Sequence, residues 1–236
     1  MRPKSEVGMF VGHFGVGLAA KKLAPRVSLG TLLMSVQFAD LLWPVFLVLG
    51  VEHVRIVPGL MKASALDLYD YPVSHSLVAL AGWAIVFAAA SFFFRRDRTA
   101  ALLLAAGVLS HWPLDVLMHR PDVPVFARGP YRGLGLWDSL PATLAVEGIL
   151  YAAGIGIYLK ATRAKDRIGV YALWALLVLL AVFWLVSLFG PPPQDEKTLA
   201  WGGLTAWLFI PWAYWIDRHR ISRIPIRFAV TREEER

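Results

Sequence analysis

His111, Asp115 and His119 follow one another at i, i+4 and i+8 in the stretch Leu109-Ser110-His111-Trp112-Pro113-Leu114-Asp115-Val116-Leu117-Met118-His119. On an α-helix that spacing sets all three along one face. An imidazole and a carboxylate one turn apart can hold one cation together or bridge two, the use that H-x-x-x-H pairs make of the same spacing. Further groups of the same kind stand at His13, Asp40, His75 and Glu147, each inside or at the edge of an apolar run. A charge inside a membrane span costs at least about 2.5 kcal/mol, which makes each of them a functional candidate. The chain has no cysteine, so disulfides, iron–sulfur clusters and thiolate zinc sites are excluded and any metal must be held by nitrogen and oxygen. Imidazoles and carboxylates without thiols are the ligand stock of a one- or two-metal hydrolytic site, with zinc expected ahead of manganese. Each group also has a plainer reading. His111 and Asp115 could be a buried hydrogen-bonded pair, Asp40 and Glu147 protonated acids bonded between helices, and His119, beside Arg120, a solvated loop residue.

The elements that must position these residues are apolar helices. Of 236 residues 57% are hydrophobic and only 17% charged, with a mean hydropathy of +0.55. A particle of this size could not hide so much apolar surface, which argues against a cytosolic enzyme and for a polytopic transmembrane helical bundle forming one membrane domain over 1–236. Runs of about the 20 residues needed to span occur at 28–50, 74–94, 99–118, 139–160, 168–190 and 198–216. A seventh, 8–23, is short and Gly-rich and could instead lie in the interface, so six to seven spans are expected. Residues 8–160 carry the metal-site helices, while 161–236 add spans and a basic cytoplasmic tail without candidate chemistry.

If all seven segments span, sixteen of the 24 Lys and Arg fall on one side and eight on the other. The richer side should be cytoplasmic, which places the carboxyl terminus inside an inner membrane and the long loops 51–73 and 119–138 outside. The net charge of +7 is thereby read as membrane orientation, with no nucleic-acid partner. The intramembrane candidates then share an outer layer roughly 15 Å deep, at about 1.5 Å per helical residue. Ser74, after Pro72, is expected to cap the helix that begins at His75, and Pro113 to kink its helix toward the site. Glu52 and His53 are read as structural loop residues and His219 as solvated.

The order Gly12-His13-Phe14, Phe38-Ala39-Asp40, Ser74-His75-Ser76-Leu77 and Leu109-Ser110-His111 with Asp115 four residues on resembles the bacterial membrane-bound metal-dependent hydrolases over roughly residues 8–160. The same order is similar to the ligand order of the all-helical zinc-dependent phospholipases C. The resemblance implies a phosphoester hydrolase whose divalent metals are held by His13, Asp40, His75, His111 and Asp115. Where that family shows P-D-x-D, this chain has Ala39-Asp40-Leu41-Leu42.

On this reading the substrate is a lipid or lipid-linked phosphoester at the outer membrane surface. Glu147 or Asp138 would be the general base, and Arg120, Arg128 and Arg132 would clamp the phosphate by charge-assisted hydrogen bonds. Two other classes compete. A proton-linked transporter would need ionisable residues continuing through the inner half, where none is evident. A non-catalytic membrane subunit, with a membrane-protein partner, would use the polar layer as an unmetallated hydrogen-bond network.

Overall fold

Serine and aspartate side chains start the long helices. In the computed structural model, which describes residues 11–224, Ser76 accepts from the Ala79 amide ahead of α5 (Leu77–Arg95) and Asp97 from that of Ala100 ahead of α6 (Arg98–Met118). Ser139 likewise caps α7 (Leu140–Ala161) through Ala142, and Asp166 caps α8 (Arg167–Phe189) through Gly169. Such caps satisfy amides that the helix itself leaves unpaired, at about 1 kcal/mol each. These four helices are long and apolar enough to cross a membrane. Large apolar side chains on them, among them Ile85, Phe94, Leu102, Ile149 and Val178, face outward, the surface of a membrane protein.

The long run 28–50 forms two helices, α2 (Leu29–Val36) and α3 (Phe38–Val48), bent by 62° at Gln37; counted as one span, the pair brings the total to five. The described residues thus fall short of six to seven spanning helices. Of the run 8–23, residues 11–23 are described and contribute the ten-residue α1 (Val11–Ala20). Residues 198–216 are divided between α9 (Glu196–Leu204), a 3-10 turn and α10 (Phe209–Arg218). Hydropathy registers apolarity and is blind to such breaks.

α1 does not lie on the surface of the bundle. Seven of its ten residues, His13 included, are buried where it passes α2, α6 and α7. The approach to α7 is set by glycines: a Cβ on Gly15 would overlap the Leu150 carbonyl, and one on Gly154 the backbone of Gly15. Small residues at such a crossing let two backbones meet, and here the crossing carries a histidine into the middle of the bundle.

Three two-stranded antiparallel pieces complete the chain. β1 (His53–Ile56) pairs with β2 (Leu66–Asp70), and β3 (Val123–Pro124) with β4 (Tyr131–Arg132). Both hairpins, with the single-turn α4 (Pro72–His75), sit at the end where α3 and α6 finish and α5 and α7 begin. β5 (Thr162–Ala164) pairs with β6 (Arg220–Ser222) at the opposite end. There Lys21, 4% exposed, donates to Asp217 at 2.7 Å and to the Val27 carbonyl at 2.8 Å, tying the turn after α1 to α10. His219 is not simply solvated: its Nδ1 stands 2.7 Å from Asp166, and that hydrogen bond holds the Asp166 carboxyl below its ordinary value.

Replacing Gly154 with Leu should lower the melting temperature by several degrees, the consequence of an overpacking cost of about 1–3 kcal/mol. Gly156, where nothing lies within 4 Å of an added Cβ, is the control whose Leu variant should melt like the parent. Thermal unfolding in detergent, followed by circular dichroism, compares the two.

Candidate metal centre

α6 runs unbroken through Pro113, with no separate segment toward the site, and brings His111 and Asp115 to its buried face, while His119 follows at its carboxyl end. Asp115 is the hub. Its Oδ1 lies 3.6 Å from His13 Nε2 and 3.8 Å from His119 Nε2, and its Oδ2 lies 3.3 Å from His111 Nε2 and 3.9 Å from His75 Nε2. Asp40, in the first turn of α3, completes the group, with Oδ1 at 3.3 Å from His75 Nε2 and 3.6 Å from His111 Nε2. The bend at Gln37 is what turns that first turn toward α6. The five residues expected as ligands are therefore brought together, and His119 joins them.

Each of three imidazoles is held from behind by an acceptor that fixes its tautomer. His111 Nδ1 is 2.9 Å from the carbonyl of Val36, which ends α2. A carbonyl can only accept, so Nδ1 carries a proton, and in the neutral ring Nε2 then turns its lone pair inward. His75 Nδ1 donates to Ser74 Oγ at 2.6 Å, and Ser74 in turn donates to Glu52 at 2.6 Å. Glu52 also accepts the amides of Val73 and Ser74 at 2.6 and 2.8 Å. His119 Nδ1 lies 3.3 Å from Asp122, and its ring stacks on Trp137 with centroids 4.2 Å apart. Tyr71 donates to the same Asp122, at 3.5 Å. Burial first, then the Asp122 and Asp115 carboxylates, push the Tyr71 phenol well above its ordinary range and keep it a neutral donor.

Donor spacing and unsatisfied atoms both suit a cation. Two ligand atoms about 2.0–2.1 Å from a tetrahedral ion stand about 3.3 Å apart; the separations around Asp40 and Asp115 run from 3.3 to 3.9 Å. His13, His111 and Asp115 form one group, and Asp40, His75 and His111 another, whose ligand atoms all fall within 4.8 Å. His111 Nε2 and Asp115 Oδ2 are buried and make no hydrogen bond among the described residues, although they face each other. Leaving such atoms unpaired costs roughly 1–3 kcal/mol each, a cost that a shared cation removes. A cavity of about 40 Å3 opens onto Asp40, His75, Asp115 and His119, with Trp43, Leu66, Leu68, Tyr71 and Trp137 as its other walls. That is room for one or two waters beside an ion.

The remaining expected residues lie elsewhere. Glu147 is buried under the start of α1, accepting from the Val11 amide at 3.3 Å and from Trp137 Nε1 at 3.5 Å, and belongs to neither ligand-spaced group. Asp138 is exposed in a 3-10 turn, and only its neighbour Trp137 reaches the cavity. Arg120 is engaged by Asp122 at 3.0 Å and by Asp67. Arg128 and Arg132 are exposed, and Arg132 donates to the Tyr131 carbonyl. Ser74 does not cap the long helix, since Ser76, extended at φ −67° and ψ 145°, does that and leaves Ser74 for His75. Glu52, read as structural, is fully buried as the anchor of that relay, while its neighbour His53 pairs with Asp70 on the hairpin. Asp122 and Tyr71 sit in loops without helical register, and the signals for them were proximity alone: Asp122 three residues after His119, Tyr71 four before His75.

Compared with known proteins, the chain matches no family model, no curated protein and no solved structure.

Removing the support of His75 should loosen a cation without abolishing the fold. Ser74→Ala and Glu52→Gln are each expected to weaken zinc retention about 10–100-fold, as outer-shell partners do elsewhere. His53→Ala should leave it unchanged. Competition against a chromogenic chelator reads all three.

Proposed function

We propose that this chain is a membrane-embedded metal-dependent hydrolase, acting on a phosphoester of a lipid or lipid-linked substrate at the outer surface of an inner membrane. The observation that carries the reading is the convergence of four imidazoles and two carboxylates from α1, α3, α4 and α6, with donors spaced for coordination and ring nitrogens turned inward by acceptors behind them. The resemblance of its residue order to membrane-bound metal-dependent hydrolases supports the same chemistry. The distribution of Lys and Arg supports the outward orientation and a cytoplasmic carboxyl terminus. α1 and the broken α9–α10 segment, too short to count as simple spans, complete the six- to seven-segment bundle within the membrane.

His75, His111, Asp40 and Asp115 would hold zinc, or manganese, with His13 and His119 flanking Asp115. The chemistry such a cation supplies is polarisation of a phosphoryl oxygen and activation of water near neutral pH. Asp40 is the cluster carboxylate with the larger opening to solvent, its side chain 36% exposed against 5% for Asp115. An attacking water would therefore reach the cluster from the side of Asp40, whereas Glu147 and Asp138 do not line the cavity. Trp43, Leu66, Leu68 and Trp137 narrow the cavity, restrict bulk water and strengthen electrostatic interactions inside it. Arg120 stiffens the hairpin wall through Asp67, and no arginine among the described residues lines the cavity, so the substrate's phosphate would be held chiefly by the cation.

Protein purified in detergent without chelator should contain stoichiometric zinc or manganese by elemental mass spectrometry. His111→Ala and Asp115→Ala should lose it, together with hydrolysis of phosphoester substrates by at least about a thousandfold, while eluting as the parent does on gel filtration. Well-folded parent protein without metal, or an Asp115→Ala protein of full activity, would overturn the reading in favour of a non-catalytic subunit with a hydrogen-bonded polar core.

A further inference from the structure

At the end of the bundle opposite the imidazole cluster, the turn from α5 to α6 gathers Arg95, Arg96 and Arg98 around a concavity of about 450 Å3, whose remaining lining is Asp97 and Arg26 from the turn after α1. We propose that this concavity binds the anionic headgroup of a membrane phospholipid. The guanidinium groups of Arg95, Arg96 and Arg98 share the concavity with a single described carboxylate, Asp97, which already accepts the Ala100 amide at 3.0 Å as the cap of α6. Among the described residues, none of Arg95, Arg96 and Arg98 is paired with an acid. Like charges gathered in one concavity repel, and an anion is what relieves them. Guanidinium groups meet phosphate oxygens through paired, charge-assisted hydrogen bonds.

The neighbourhood selects a lipid over a free anion. α5 is an apolar span that ends at Arg95, so the arginines stand where the hydrocarbon layer gives way to headgroups. Phe93 and Phe94, 64% and 82% exposed, flank the concavity with surface suited to acyl chains. The Arg96 guanidinium lies 5.5 Å from the Phe93 ring, which joins the charged and apolar surfaces into one continuous patch. Arg95 donates to the Arg26 carbonyl at 3.3 Å, tying the two turns that form the walls. Arg96 itself holds a left-handed backbone, φ 54°, at a helix end where glycine would sit without strain. Basic pockets between membrane helices recognise anionic headgroups by this combination of charge and interfacial depth.

The test is native mass spectrometry of the full chain released from detergent, after titration with phosphatidylglycerol, with phosphatidylcholine, or with inorganic phosphate. Phosphatidylglycerol should be retained at least about fivefold better than phosphatidylcholine, and inorganic phosphate at millimolar concentration should not displace it. The Arg96→Gln/Arg98→Gln protein should retain phosphatidylglycerol roughly tenfold or more weakly, with its content of divalent metal unchanged. Equal retention of the two lipids by the parent would overturn the proposal and leave the arginines as determinants of membrane orientation only. Displacement by phosphate alone would assign the concavity to a soluble anion and overturn it equally. The lipid comparison on the parent decides the matter even if the double variant does not fold.

Discussion

A carboxylate withdrawn from water and encircled by imidazoles governs this molecule. Asp115 is 4% exposed and has four ring nitrogens within 3.9 Å of its oxygens. A buried charge without compensation is among the most costly things a fold can contain, and neutral imidazoles offer dipoles but no counter-charge. The surroundings are arranged to present lone pairs to the same space as the carboxylate. Val36, Ser74 and Asp122 occupy the Nδ1 positions of His111, His75 and His119, which leaves each Nε2 directed at Asp115.

Much of the irregular backbone follows from that centre. α2 and α3 part at Gln37, which frees the Val36 carbonyl for His111 and swings Asp40 inward. α4 is a separate turn because Ser76 is extended, and this aims His75 at the cluster before the long apolar α5 begins. α1 reaches the centre only because Gly15 and Gly154 let two backbones touch. The hairpins β1–β2 and β3–β4 roof the same end, supplying Leu66 and Leu68 to the cavity and, through Arg120, bracing it against Asp67 and Asp122. At the other end the helices are joined by short turns and their polar contacts are structural or basic.

Two physical signals made the clustered residues legible in the sequence. Helical periodicity aligned His111, Asp115 and His119, and the cost of charge in apolar runs singled out His13, Asp40 and His75. Both signals are local. The supporting residues became visible only in three dimensions, because Glu52, Tyr71, Asp122 and Trp137 lie in loops where no period relates one position to another. Glu147 met the same cost criterion as Asp40, yet its carboxylate serves the amide of Val11 and the indole of Trp137, a use that hydropathy does not distinguish from ligation. The break at Gln37 carries neither glycine nor proline, so the run 28–50 read as one rod. Ser74 and Ser76 are both good caps by type, and which of them caps was decided by the carboxylate of Glu52, distant in sequence.

The charge balance of the cluster bears on how many cations it would hold. Asp40 and Asp115 both straddle His75 and His111, so two carboxylates and two imidazoles surround one position. With neutral imidazoles, two carboxylates offset one divalent cation, and in a low-dielectric interior neutrality of that kind is strongly favoured. A second cation near His13, His119 and Asp115 Oδ1 would add two charges, with Asp122 as the nearest further acid and its oxygens already given to His119, Tyr71 and Arg120. Under the proposed function the charge balance therefore favours one cation between Asp40, His75, His111 and Asp115, while His13 and His119 flank the other oxygen of Asp115 at 3.6 and 3.8 Å.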